Sequence, residues 1–271
     1  MSDNKIAMVT GASRGIGDAV ASALAADGWD LILTCRSSLP ELLAHAQELT
    51  RQFSVQAHAF ACDMGNSEAV TSLFRQLEAD RQIPSLLVNN AGAAHIGLLQ
   101  DMSDAQWEEL LHTNLSSVFY TCRAAIPLFL RQSCRTADAA SSSAAHSGTL
   151  TCSEHCNDAP GRIINISSVW GIAGASCEVA YSAAKGGVNA FTKALAKELA
   201  PSGIPVNALA FGCIDTAMNH HLSQEEKAAL AEEIPAGRFA SPAEAAAAVL
   251  QLVHAPSYLT GQIIAMDGGW L

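Results

Sequence analysis

Two stretches of this sequence carry residue types spaced to do chemistry. Tyr181-Ser182-Ala183-Ala184-Lys185 sets a phenol and an ammonium four residues apart, which places both on one face of a helix. Tyrosine ordinarily titrates at about 10 and needs help to exchange a proton near neutrality. A neighbouring cation favours the phenolate, so Lys185 is expected to bring that pKa down. Upstream, Ile164-Asn165-Ile166-Ser167-Ser168 ends an apolar run in hydroxyls, and Ser168 is placed to hydrogen-bond a substrate carbonyl. The second stretch is Thr10-Gly11-Ala12-Ser13-Arg14-Gly15-Ile16-Gly17. Glycine lets the backbone turn tightly and approach a phosphate, and a following helix offers oriented N–H groups. The Gly-x3-Gly-x-Gly spacing departs from the commoner G-x-G-x-x-G, and any tight strand-to-helix turn can use glycine. Its place directly after the first apolar run favours a dinucleotide site.

The second apolar run ends at Thr34-Cys35-Arg36-Ser37-Ser38. An NAD site would carry Asp or Glu there for the ribose hydroxyls, whereas arginine accommodates a 2′-phosphate. Arg36 with Ser37, and Arg14 within the glycine loop, therefore point to NADP(H). Asp63, after the third run, is placed to accept hydrogen bonds from an adenine, and Met64 beside it joins the cofactor set.

These groups must be positioned by a regular framework. Short apolar runs at 6–10, 31–33, 55–61, 85–89, 162–166, 206–210 and 262–266 alternate with helical spacing at 18–27, 39–53, 67–81, 107–131 and 180–199. Near-continuously apolar strands between helices mean a parallel sheet covered on both faces. The expected fold is a single-domain, Rossmann-like, doubly wound α/β sheet over 1–271, with ligands beyond the carboxyl ends of the strands. Residues 132–160 lack periodicity and read as an inserted surface loop at the amino edge, away from the chemistry. The stretch 217–240, with Ser223-Gln224-Glu225-Glu226 as a capping start, suggests a helical lid over the substrate.

Composition narrows the function. The chain has 271 residues, 49% apolar and 15% charged, which excludes an intrinsically disordered chain. A formal net charge of −11 without a Lys/Arg cluster excludes a nucleic-acid binder. No apolar run is long enough to span a bilayer, and Met1-Ser2-Asp3-Asn4-Lys5 leads straight into a strand, so a cytoplasmic enzyme is expected. The cysteines Cys35, Cys62, Cys122, Cys134, Cys152, Cys156, Cys177 and Cys213 are expected to be reduced. The only tight group, Cys152-x2-His155-Cys156 with Cys134 and His146 nearby, suits a tetrahedral ion poorly, and no metal is expected.

Several motifs in order make the resemblance specific: residues 10–17, Asn89-Asn90-Ala91-Gly92, Asn114, Ser168, Tyr181-x3-Lys185, and Val206-Asn207 leading to Gly212-x-Ile214-x-Thr216. The sequence resembles the short-chain dehydrogenase/reductase family over nearly all of the chain outside 132–160. The resemblance implies that Tyr181 is the general acid in reduction, Lys185 lowers its pKa and binds the nicotinamide ribose, and Ser168 polarises the carbonyl. It implies that Asn114 holds the water of a proton relay and that Asn90, Ala91, Gly92, Gly212, Ile214 and Thr216 line the cofactor. It also implies a homo-oligomer, dimer or tetramer, paired through the alanine-rich faces of the helices at 107–131 and 180–199.

Within that family the chain is most similar to 3-oxoacyl-acyl-carrier-protein reductases, through residues 10–17 and Leu259-Thr260-Gly261-Gln262-Ile263-Ile264-Ala265-Met266-Asp267-Gly268-Gly269. Two departures count against copying their substrate. Phe211-Gly212 stands where the family has Pro-Gly, and the turn Ala200-Pro201-Ser202-Gly203-Ile204 lacks the arginine that meets an acidic carrier. An acidic enzyme also repels such a carrier. The segments 193–204 and 233–238 resemble elongation factor P 5-aminopentanone reductases of Gram-positive bacteria, whose protein-bound ketone carries an amine. A steroid-type ketone and a non-catalytic NADP-binding scaffold are the remaining alternatives. The scaffold would show a broken Ser–Tyr–Lys set or glycine loop, and both are intact.

Overall fold

The computed structural model describes residues 5–143, 159–219 and 222–271, with backbone alone over 132–143. Strand and helix alternate: β1 (Ile6–Val9), α1 (Gly15–Ala26), β2 (Asp30–Cys35), α2 (Leu39–Phe53), β3 (Ala57–Ala61), α3 (Ser67–Ala79), β4 (Leu86–Asn89). Next, α4 (Asp104–Leu111) passes through a π-type turn (His112–Ser116) into α5 (Ser117–Ser143). Then follow β5 (Arg162–Ser168), the one-turn α6 (Trp170–Ala173), α7 (Val179–Leu199), β6 (Val206–Phe211), α8 (Gln224–Glu233), α9 (Pro242–Val253) and β7 (Ile263–Met266).

Among the described residues the strands form one seven-stranded sheet in the order β3-β2-β1-β4-β5-β6-β7, every pair parallel. β4, β5 and β6 are buried along their whole length, because helices cover both faces and leave no polar side. One layer packs α1, α2 and α9 through Val20, Leu24, Leu42 and Val249. The other packs α3, α5 and α7 through Phe74, Phe129, Val188 and Leu195. Each such side chain contributes about 1.5–3 kcal/mol on leaving water. The strand order reverses between β1 and β4, which opens a crevice at the carboxyl ends of the central strands.

The single helix expected over 107–131 is corrected in three respects. Ser103 and Gln106 form a capping box, which starts α4 at Asp104; a π-type turn divides the stretch; and α5 runs on to Ser143. The loop expected to begin at 132 is therefore helical in its first part. No glycine or proline interrupts residues 128–147, and extending a formed helix is far cheaper than nucleating one. An alanine-rich run can thus stay helical without apolar periodicity. The rest of that expectation, with His146, Cys152, His155 and Cys156, lies outside the described residues, as does the side chain of Cys134.

Within 217–240, α8 begins at a capping box of Ser223 and Glu226, and none of its residues is buried. A parallel bridge between Ile214 and Ala240 closes the base of this excursion. No helix of the described residues is long and apolar enough to cross a membrane.

Candidate active site

The crevice is built from four strand ends. β1 runs into the glycine loop, where Gly11 and Gly15 take φ of 65° and 63°, values that L side chains rarely adopt. Gly17 is required by packing: a Cβ there would fall 2.4 Å from the Gly11 carbonyl oxygen and 2.5 Å from Asn90 Nδ2. Arg14 is the extended residue before α1 and makes no side-chain cap. The first-turn N–H groups of α1 thus have no side-chain acceptor there and suit a phosphate.

Asn90 secures this loop from β4. Its Nδ2 donates to the Thr10 and Gly11 carbonyls at 2.9 and 3.0 Å. Thr10 Oγ1 in turn accepts from the N–H groups of Asn90 and Ala91 at 2.9 and 3.0 Å. Asn90 also lines the cleft, together with Ile16, Gly92, Gly212, Ile214 and Thr216. Thr216 Cγ2 lies 3.3 Å from where a Cβ of Gly15 would sit, so the segment after β6 closes over the loop that Ser13 and Arg14 share.

The outer edge of the crevice is open. Arg14, Arg36, Ser37 and Asp63 are exposed, and none of them lines the cleft itself. The residues that end β2 include no carboxylate, but the fold brings one to them from a distant segment. Glu109 of α4 comes within 3.4 Å of Arg36 Nη1, with the side chains 71% and 58% exposed. So exposed a pair contributes little and gives way readily to a better anion. One oxygen of Asp63 accepts from the Gly65 N–H at 2.9 Å, and Met64 is buried beneath it.

Ser168, Lys185 and Asn114 are buried and held, and Tyr181 is half-buried beside them. Ser168 ends β5; its Oγ accepts from the Trp170 N–H at 3.2 Å, and it lines the cleft together with Tyr181. Lys185, 4% exposed, donates from Nζ to the Ile166 carbonyl at 2.9 Å. Its ammonium lies 5.6 Å from the Tyr181 ring centre. Asn114 sits in the π-type turn, fully buried. Its Nδ2 donates to the Ala93 and Leu110 carbonyls, and its Oδ1 accepts from the Ala93 N–H at 3.2 Å. Gly92 is where these groups converge: a Cβ on it would meet Asn114 Oδ1 at 2.9 Å and Lys185 Nζ at 3.6 Å. A π-type turn re-aims a helical residue, and such turns gather at functional sites.

Burial is the largest influence on the titration of both Tyr181 and Lys185. Desolvation pushes the Tyr181 phenol well above its usual pKa, the Glu178 charge adds to this, and the Ser168 hydrogen bond opposes it. The Lys185 ammonium is itself buried, which lowers its pKa to about 8, and it donates to a backbone carbonyl. An upward shift favours the neutral phenol, the form that can donate a proton.

The cleft above these groups has a volume of about 600 Å³. Trp170 and Trp270 meet edge-on at 4.8 Å between ring centres to form one wall. Leu222 and Leu230, at the start of α8 and within it, contribute apolar surface, and Glu178 and Glu233 contribute carboxylates. Their charges, after burial, hold the Cys213 thiol up at about 11. Sequence reading missed Thr10, Glu109, Trp170 with Trp270, and the acidic pair, because each acts through a partner distant in the chain. The described cysteines, Cys35, Cys62, Cys122, Cys177 and Cys213, are free. Among the described residues no group of His, Cys, Asp or Glu could hold a metal ion.

Comparison with known proteins agrees with this geometry. A family described as "short chain dehydrogenase" matches residues 5–148, and one described as "Enoyl-(Acyl carrier protein) reductase" matches 131–271. An "uncharacterized oxidoreductase YmfI" of Bacillus subtilis is 36% identical over 98% of this chain and 99% of its own length. The 3-oxoacyl-[acyl-carrier-protein] reductase FabG of Aquifex aeolicus is 37% identical over 98% of this chain and 96% of its own. That of Escherichia coli is 34% identical over 98% and 97%.

Proposed function

Because the chain belongs to the short-chain dehydrogenase/reductase family, we propose that it is an NADPH-dependent carbonyl reductase acting on a 3-oxoacyl thioester to give the 3-hydroxyacyl form. The observation that carries this reading is that Ser168, Tyr181 and Lys185 line one cleft, with Lys185 Nζ 5.6 Å from the Tyr181 ring centre.

The residues present fit a nicotinamide dinucleotide. The uncapped start of α1 with Gly11 and Gly15 suits the pyrophosphate, Arg14 and Arg36 suit a 2′-phosphate, and Asp63 with Met64 suits the adenine. Asn90, Ala91, Gly92, Gly212, Ile214 and Thr216 would enclose the nicotinamide end. When bound, the reduced coenzyme supplies the hydride. Ser168 donates a hydrogen bond to the substrate carbonyl oxygen, and Tyr181 gives that oxygen its proton. Lys185 holds the ribose and, with Asn114 and a water, returns a proton to the phenol. The same reading makes the protein a cytoplasmic homo-oligomer, dimer or tetramer, paired through α5 and α7. Phe119 of α5 is 42% exposed, in keeping with such a surface.

A second reading rests on Glu178 and Glu233 lining the cleft. Carboxylates beside an apolar wall favour a ketone that carries an amine, such as the 5-aminopentanone on elongation factor P, over an acidic carrier. One assay separates the two. NADPH oxidation is followed by absorbance with acetoacetyl thioester, an amino ketone and a steroid ketone, each repeated with NADH. Turnover favouring the thioester with NADPH supports the first reading, and preference for the amino ketone supports the second. Binding of NADPH with no ketone consumed would overturn both and leave the scaffold.

A further inference from the structure

Three successive residues of β5 face α7. The Ile166 carbonyl accepts from Lys185 Nζ at 2.9 Å, Ser167 Oγ donates to Asn189 Oδ1 at 2.7 Å, and Ser168 lines the cleft with Tyr181. The first and third of these involve reacting groups; the middle one has no part in the chemistry so far described. Asn189 carries a further bond, since its Nδ2 donates to the Gly171 carbonyl at 3.0 Å. Gly171 presses on α7 at Lys185 itself: a Cβ there would fall 2.6 Å from the Lys185 carbonyl carbon. Asn189 thus joins β5, α6 and α7 one helical turn beyond Lys185. Through α6 it also anchors Trp170, which packs edge-on against Trp270 in the cleft wall.

General packing does not require this link. Two residues back along β5, Asn165 Nδ2 donates to Thr192 Oγ1 at 2.8 Å, and Asn165 accepts from Asn89 of β4. Those bonds already fasten α7 to the sheet. Asn189 and Ser167 are 7% and 3% exposed, and buried amide bonds are costly to leave unmade, so they define distances sharply.

We propose that Asn189 is a positioning residue for the reductase reaction, its bonds to Ser167 and Gly171 setting the spacing between Ser168 and the Tyr181–Lys185 pair. This rests on the carbonyl-reductase reading. Misplacing a catalytic group by a fraction of an ångström slows the reacting step more than it weakens binding.

The test compares Asn189→Leu, which keeps the approximate size and removes both bonds, with Ser167→Ala, which removes one. The enzyme is assayed on whichever ketone the wild type reduces best. Asn189→Leu is expected to lower kcat by about tenfold to a hundredfold, with KM for the ketone and Kd for NADPH within about twofold of wild type. Ser167→Ala is expected to lower kcat several-fold in the same pattern. If Asn189→Leu does not fold, Ser167→Ala, which deletes only one hydroxyl, carries the test. Unchanged kcat, or KM and Kd rising in step with any loss, would overturn the positioning role alone. A wild-type protein that reduces no carbonyl would overturn the reductase reading and this inference with it.

Discussion

The two ends of the crevice are built on opposite plans. At β5 and α7, Ser168, Lys185 and Asn114 are buried and already engaged with backbone or neighbouring side chains. At the ends of β1, β2 and β3, Arg14, Arg36 and Asp63 stand in solvent, and Arg36 meets the exposed Glu109 at 3.4 Å. The contrast teaches a division of labour. On the proposed function, the reacting groups are fixed by the fold before any ligand arrives, whereas coenzyme choice would rest on surface charges that can change without disturbing the core.

Substitutions should separate the two plans. The largest effect is expected at the buried end. Lys185→Met should lower turnover by at least about a hundredfold, read from steady-state kinetics. It should also raise the thermal midpoint at pH 7 by a few degrees. Lysine ordinarily titrates at 10.5 and Lys185 at about 8, so between those values the unfolded chain binds more protons than the folded one. The folded state therefore carries its full penalty below pH 8 and sheds it as pH rises towards 10.5. The stability gain of the variant should shrink across that window.

At the open end, Arg36→Asp should weaken NADPH about tenfold or more while leaving NADH nearly unaffected, measured by fluorescence titration. Its thermal midpoint should not move. Equal weakening of both coenzymes would show that Arg36 does not read the 2′-phosphate. Gly17→Ala probes the seam between the plans. The added Cβ would sit 2.4 Å from the Gly11 carbonyl oxygen, so chemical denaturation should report a loss of about 1–3 kcal/mol. The smallest effect is expected from a chelator, which should leave the thermal midpoint unchanged; a clear fall would restore a metal site in 132–160.

The framework was largely legible in the sequence, and the buried end only in part. Strand–helix alternation is a local signal, carried by adjacent residues, and it placed α2 correctly, while α1 starts at Gly15, inside the glycine stretch, three residues before the expected start at 18. Tyr181 and Lys185 were legible because one helical turn joins them. Their protonation was not, because the direction of the Tyr181 shift depends on how deeply β5, α6 and Glu178 enclose it. The π-type turn under Asn114 was invisible to apolar periodicity, which reads straight through one extra residue per turn. Glu109 beside Arg36 and Asn189 beside Ser167 are pairings between distant segments, which no local pattern encodes.

The most direct test of the account is Tyr181→Phe, which removes one hydroxyl and keeps the ring. NADPH binding and ketone turnover are measured side by side in the variant and the wild type. The account predicts an unchanged NADPH Kd, an unchanged fold, and turnover reduced by at least about a thousandfold. Retained turnover in a variant that still binds NADPH would remove Tyr181 from the proton transfer and contradict the account.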